Sequence, residues 1–207
     1  TGRTDRRSKA VATQLEPAVP REGTGRKKLL AAALDLFAER GVSGTSLQMI
    51  ADALGVTKAA VYYHYKTKDD IVLAVVSPAI EELAAIAGEA ERKRSRTAQV
   101  ETVLVGIVDL IVRNRSLYAV LQGDLTAIHI LREHGAFPEL SNRILALIVG
   151  PDPDPGTIVA ASILLSGLHE AGFGPRVAGI GDEELRGHML DCARRLLRHR
   201  RPSAATA

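Results

Sequence analysis

Residues 41–70 read GVSGTSLQMIADALGVTKAAVYYHYKTKDD, and this stretch decides the fold. Leu47, Ile50, Ala51 and Leu54 fall on one face at helical spacing, with Thr45 or Ser46 placed to cap the helix they form. Gly55 follows the last apolar residue, where glycine takes the left-handed turn without a Cβ penalty. Thr57 caps a second short helix, Lys58–His64, and Val56 and Val61 are placed to pack back onto Ile50 and Leu54. Two short helices joined by a tight turn make a helix-turn-helix, whose second helix lies in a DNA major groove.

The outer face of that second helix carries Lys58, Ala59, Ala60, Tyr62, Tyr63 and His64. Small residues allow close approach to base edges, and tyrosine hydroxyls or lysines reach phosphate or base. Lys66 and Lys68 follow, with Lys68 at the start of the next helix, where free backbone N–H groups also favour an anion. The candidate DNA-contact residues are Lys27, Thr45, Ser46, Gln48, Thr57, Lys58, Ala59, Ala60, Tyr62, Tyr63, His64 and Lys68. A short basic helix that serves solubility alone is the bland alternative.

The stretch resembles the DNA-binding domain of the TetR family of one-component transcriptional regulators. That family's core, G-V-T-x-x-x-[VL]-Y-x-H-[YF]-x-x-K, stands here as Gly55, Val56, Thr57, Val61, Tyr62, His64, Tyr65 and Lys68. The close likeness runs over Lys27–Val76, and beyond it the agreement is one of length and helical character. The resemblance implies an all-α chain with three parts. These are an N-terminal tail over 1–24, a three-helix DNA-binding domain over 25–68, and a helical ligand-binding and dimerisation domain over 69–207.

Charge agrees with the motif. The net charge is +3, yet residues 21–68 hold eight Lys/Arg against four Asp/Glu, while residues 69–207 hold fifteen against eighteen. Positive charge thus gathers where phosphate would lie. Arg26, Lys27 and Lys28 stand in the first turn of a helix starting near Gly25, whose buried face is Leu30, Ala33, Leu34 and Phe37. Cations there oppose the helix dipole, which phosphate would relieve; a solvated charge run is the alternative. Gly41 ends this helix, and the three helices together bury one small core. Residues 1–24 are polar with little periodicity and read as a mobile tail, either a passive leader or a source of non-specific DNA attraction.

A fourth helix is expected over about Lys68–Ala90, bent at Pro78, and the resemblance makes it the link between the two halves. Helices are further expected at Thr97–Asn114, Ser116–Gln122, Asp124–His134 (ended by Gly135 and Pro138), Glu139–Val149, Pro155–Phe173 and Asp182–Arg200. Asp154 and Pro155 give the second-last of these a strong start. The longest uncharged stretch, Pro155–Leu168, falls short of a membrane span, and no secretory signal is seen, so the cytoplasm is the expected location.

Apolar residues on Pro155–Phe173 spread round too much of the circumference for one-sided packing. Similar regulators dimerise through their last two long helices, which here points to Ile163, Leu164, Leu168, Leu185, Met189, Ala193 and Leu196. Burial of that helix within one protomer is the alternative. A two-fold dimer also gives two half-sites where one recognition helix reads too few base pairs.

The resemblance further implies a small-molecule inducer in an apolar cavity with a few orienting polar groups. The candidate lining is Leu104, Ile107, Tyr118, Gln122, Leu125, His129, Phe137, Ser166, His169, Glu170 and Phe173. No cofactor or metal is expected. His188 and Cys192 stand four apart but lack further ligands, His169–Glu170 lacks a second histidine, and Ser166 lacks a nucleophile elbow. An enzyme is therefore not expected. The expectation is a dimeric repressor on a pseudo-palindromic operator, released when a mostly hydrophobic ligand moves the fourth helix. The alternatives are an activator or ligand-blind repressor, or a helical protein-interaction or architectural DNA-binding protein.

Overall fold

The computed structural model describes residues 22–115, 117, 124–133 and 136–198, and among them every regular element is helical. The elements are α1 (Glu22–Gly44), α2 (Leu47–Leu54), α3 (Lys58–His64), α4 (Lys68–Glu91) and α5 (Arg96–Arg113). They continue with α6 (Leu125–Glu133), α7 (Ala136–Val149), α8 (Pro155–Phe173), a single 3-10 turn (Pro175–Val177) and α9 (Asp182–Arg198). The tail and most of the expected Ser116–Gln122 helix lie outside the described residues.

Side-chain caps set the starts of these helices. The hydroxyl or carboxylate of Ser46, Thr57, Thr67, Ser95 and Asp154 each accepts a backbone N–H from the first turn that follows. At α4 the cap is reciprocal, since the Asp70 carboxylate also accepts the Thr67 N–H at 2.9 Å. α4 runs unbroken through Pro78. Gly41 interrupts α1 with φ 71° and ψ 166°, and Gly55 ends α2 in the left-handed region with φ 66°.

Two expectations change at turns. Pro138 does not stop a helix but sits in the first turn of α7, where its missing N–H has no partner to lose. Val56 does not pack inward. Its N–H closes the turn onto the Ala51 carbonyl, and its side chain stays 40% exposed.

Among the described residues there are two cores. The first joins Leu29, Ala33 and Phe37 of α1, Ile50 and Ala51 of α2, Val61 of α3 and Ile71, Val72 and Val76 of α4. Ala127 and Ile130 of α6 complete it, so the first three helices do not close their core alone. The second core packs α5, α7, α8 and α9 around the C-terminal half of α4, with Val103, Val108, Ile144, Leu164, Leu168 and Met189 buried. By length and composition alone α4 would suffice to cross a membrane, yet it packs against α1, α5, α6 and α7. Ion pairs fasten α9 to α5, Arg186 to Asp109 at 2.6 Å and Arg194 to Glu101, while Arg115 reaches Asp182 at 2.8 Å.

Candidate nucleic-acid interface

The second helix of the motif is held from beneath and open above. Val61 is fully buried, while Lys58, Ala59, Ala60, Tyr62, Tyr63 and His64 are exposed, Tyr62 and Tyr63 by 50% and 72%. Thr57 fixes the start of α3 through the Ala60 N–H, and Tyr65 closes its end through its own N–H to the Val61 carbonyl. Ser46, Gln48, Thr57 and Lys27 are also exposed, so most of the expected contact residues are open to solvent.

Three cations around α3 are held by named partners. Lys66 donates to the Tyr62 carbonyl at 3.0 Å and lies over the Tyr62 ring, 4.6 Å from its centroid. Arg26 donates its Nε–H to the Tyr65 phenol at 2.7 Å, which holds its guanidinium pKa above the ordinary value. Lys68 donates to the Thr45 carbonyl at 3.2 Å and more distantly to that of Ser43. Two of its three protons thus serve the turn before α2.

Thr45 departs from expectation. Its side chain is buried, and its hydroxyl donates to the Gly41 carbonyl at 2.8 Å and the Leu36 carbonyl at 3.2 Å, so it cannot face phosphate. Ser46 takes the capping role instead. Sequence reasoning missed the Thr67–Asp70 box, which T-x-x-D signals locally, and the bond of the Asp124 carboxylate to Ser43, which no local pattern signals.

Asp124 immediately precedes α6 and is buried. One oxygen accepts the Thr126 and Ala127 N–H groups, at 2.8 and 3.3 Å; the other accepts the Ser43 N–H at 3.1 Å. Burial alone would raise its pKa, but the backbone N–H groups of Ser43, Thr126, Ala127 and Val42 outweigh that and leave it below the ordinary carboxylate value.

The expected ligand residues are not brought together among the described ones. Leu104 and Ile107 are buried in the second core, and Phe137 and His169 are half-buried. Burial pushes the His169 pKa down, with Glu170 opposing. Leu125, 84% exposed, and His129 face outward from α6, while Ser166 and Glu170 face outward from α8. The expected placing of these four in a cavity lining is not seen: at about 100° per residue, Ser166 and Glu170 fall beside Val159 and Ile163, opposite Leu164 and Leu168. Tyr118, Gln122 and the Phe173 side chain lie outside the described residues.

The expected dimer residues divide in the same way. Leu164, Leu168, Leu185, Met189 and Ala193 are buried within the protomer, because the apolar stripe of α9 packs on α8 and α5. Ile163 and Leu196 are exposed, together with Ile158 and Val159.

Residues 29–75 match the family described as bacterial regulatory proteins, tetR family. Over these residues the chain is similar to TetR-family regulators. In sequence the likeness to curated relatives is confined to a short region. The HTH-type transcriptional regulator AcrR of Shigella flexneri is 52% identical over 46 residues, which are 22% of this chain and 21% of that one. In structure the likeness is broader. The ketosteroid transcriptional regulator KstR2 of Mycobacterium tuberculosis superposes with TM-score 0.63 at 17% identity, over 86% of this chain and 94% of that one. FadR of Bacillus subtilis in complex with stearoyl-CoA gives 0.59 at 16% identity, over 84% and 99%. TetR-family fold therefore extends over the C-terminal helices, while sequence kinship is concentrated in α1–α4.

Proposed function

We propose that this chain is a TetR-family DNA-binding transcriptional regulator that acts in the cytoplasm as a homodimer. In this reading it represses from a pseudo-palindromic operator and is released by a mostly hydrophobic small molecule. The observation that carries it is α3, a helix fixed at both ends that offers Lys58, Ala59, Ala60, Tyr62, Tyr63 and His64 to solvent. Lys58, Ala59 and Ala60 face bases, while Tyr62, Tyr63 and the Ser46 end of α2 meet phosphates.

A dimer is favoured by the outer face of α8, where Ile158, Val159 and Ile163 lie exposed among Ser162, Ser166 and Gly167, and by the exposed Leu196 of α9. An apolar surface of this kind marks an interaction site, and two-fold pairing through it would present two α3 helices to one face of DNA. A hydrophobic ligand is favoured by the kinship in fold with the ketosteroid regulator and with the stearoyl-CoA-bound FadR.

The test is a titration onto DNA from upstream of the protein's own gene, beside a shuffled duplex, at two salt concentrations. Tight binding to the native duplex with two protomers per site, reversed by stearoyl-CoA or a ketosteroid, is expected. Equal, steeply salt-dependent binding to both duplexes would reduce the protein to a charge-driven DNA binder.

A further inference from the structure

The turn between α1 and α2 is gripped from outside its own domain. Gly41 adopts φ 71° and ψ 166°, a region essentially confined to glycine. A Cβ there would stand 2.8 Å from the Asp124 carboxylate oxygen that holds the Ser43 N–H. Beside that bond, the Ser43 and Thr126 hydroxyl oxygens lie 2.6 Å apart. From the other side, Thr45 ties down the Gly41 carbonyl and Lys68 of α4 ties down the Thr45 carbonyl. The turn is thus held from both sides.

We propose that Asp124 is a positioning residue that couples the start of α6 to the orientation of the α2–α3 pair. The inference rests on the DNA-binding reading of α3 and gives its control a route distinct from movement of α4 alone. One carboxylate serves two elements: Oδ1 caps α6 through Thr126 and Ala127, and Oδ2 holds Ser43. Ser43 lies three residues before the Ser46 cap of α2, and α2 packs on α3. A shift of α6 by about 1 Å stretches the 3.1 Å bond to Ser43 beyond hydrogen-bonding range. The turn that follows Gly41 then loses its hold on α6, while the Thr45 bond to the Gly41 carbonyl remains.

Asp124→Asn keeps the shape and one acceptor but cannot accept at both oxygens. Thr126→Val is a milder variant that removes only the hydroxyl link, and it carries the test if the first fails to fold. Ile144→Val, in the second core away from the turn, controls for lost stability. Two quantities are read: amide exchange at Ser43, and affinity for a duplex enriched by the wild-type protein from a randomised pool, followed against salt. Exchange at Ser43 faster by about tenfold, with Val72 unchanged, is expected. Affinity should fall at least about fivefold with the salt slope unaltered, since no phosphate contact is lost. Ile144→Val should change neither. Unchanged exchange at Ser43 would overturn the latch, and faster exchange with affinity within about twofold of wild type would overturn its positioning role. A wild-type protein that enriches no sequence would instead overturn the DNA reading, while exchange at Ser43 still decides whether the latch exists.

Discussion

The guanidinium of Arg26 donates to the phenol oxygen of Tyr65 at 2.7 Å and lies over the same ring, 5.5 Å from its centroid. Arg26 stands in the first turns of α1, and Tyr65 is the buried residue that closes α3. The contact spans 39 residues and fixes a cation beside the end of the recognition helix. Arg26 itself stays exposed.

Replacing either partner should separate positioning from charge. Arg26→Ala should weaken binding to every duplex and lower the salt slope by about one, as for a lost phosphate contact. Tyr65→Phe should leave the slope intact and lower stability by about 0.5–1.5 kcal/mol, the net worth of one hydrogen bond. Salt-dependent titrations and urea melts read the two quantities.

The two turn glycines should respond differently to alanine. Gly55 has φ 66° with no atom within 4 Å of an added Cβ, so Gly55→Ala should cost about 1–2 kcal/mol from backbone strain alone. Gly41→Ala combines an unfavourable φ of 71° with a Cβ 2.8 Å from the Asp124 carboxylate, and should cost more. Equal midpoints in urea would contradict the difference.

The outer face of α8 gives a prediction on assembly. Val159→Asp and Ile163→Asp alter side chains 56% and 57% exposed in the protomer, so each should fold with unchanged helicity. Each should shift the protein from dimer to monomer in light scattering and lose operator affinity. A mutant that stays dimeric would move the interface elsewhere.

Acid should release the Asp124 latch. Its folded pKa lies below the ordinary value, so its contribution to stability is complete above the unfolded value of about 3.9 and is lost as pH falls through the folded value. The stability gap between wild type and Asp124→Asn should therefore be constant from about pH 5 to 7 and narrow below about pH 4. Urea midpoints across that range measure it.

What the sequence made legible was local. Thr45 or Ser46, Gly55 and Thr57 marked the ends of α2 and the start of α3, and Asp154 with Pro155 marked the start of α8, because each cap acts on the adjoining turn of its own helix. Long-range matters were not legible. The stripe Leu185, Met189 and Ala193 has the same periodicity whether α8 and α5 or a second copy covers it, and the structure covers it internally. Asp124 and Ser43 are 81 residues apart, and an aspartate before a helix reads first as a cap. Thr45 was hidden for a related reason: its hydroxyl turns back four residues to Gly41 rather than forward.

The decisive measurement is selection of duplexes from a randomised pool by the wild-type protein and by Lys58→Ala in parallel. The wild type should enrich a pseudo-palindrome with half-sites about one helical turn or slightly more apart, about 10 base pairs. Lys58→Ala should enrich a sequence changed at one symmetric pair of positions, since Lys58 lies on the exposed face of α3. Enrichment of no symmetric sequence, or an identical consensus with affinity lowered uniformly, would contradict α3 as the paired reader of DNA.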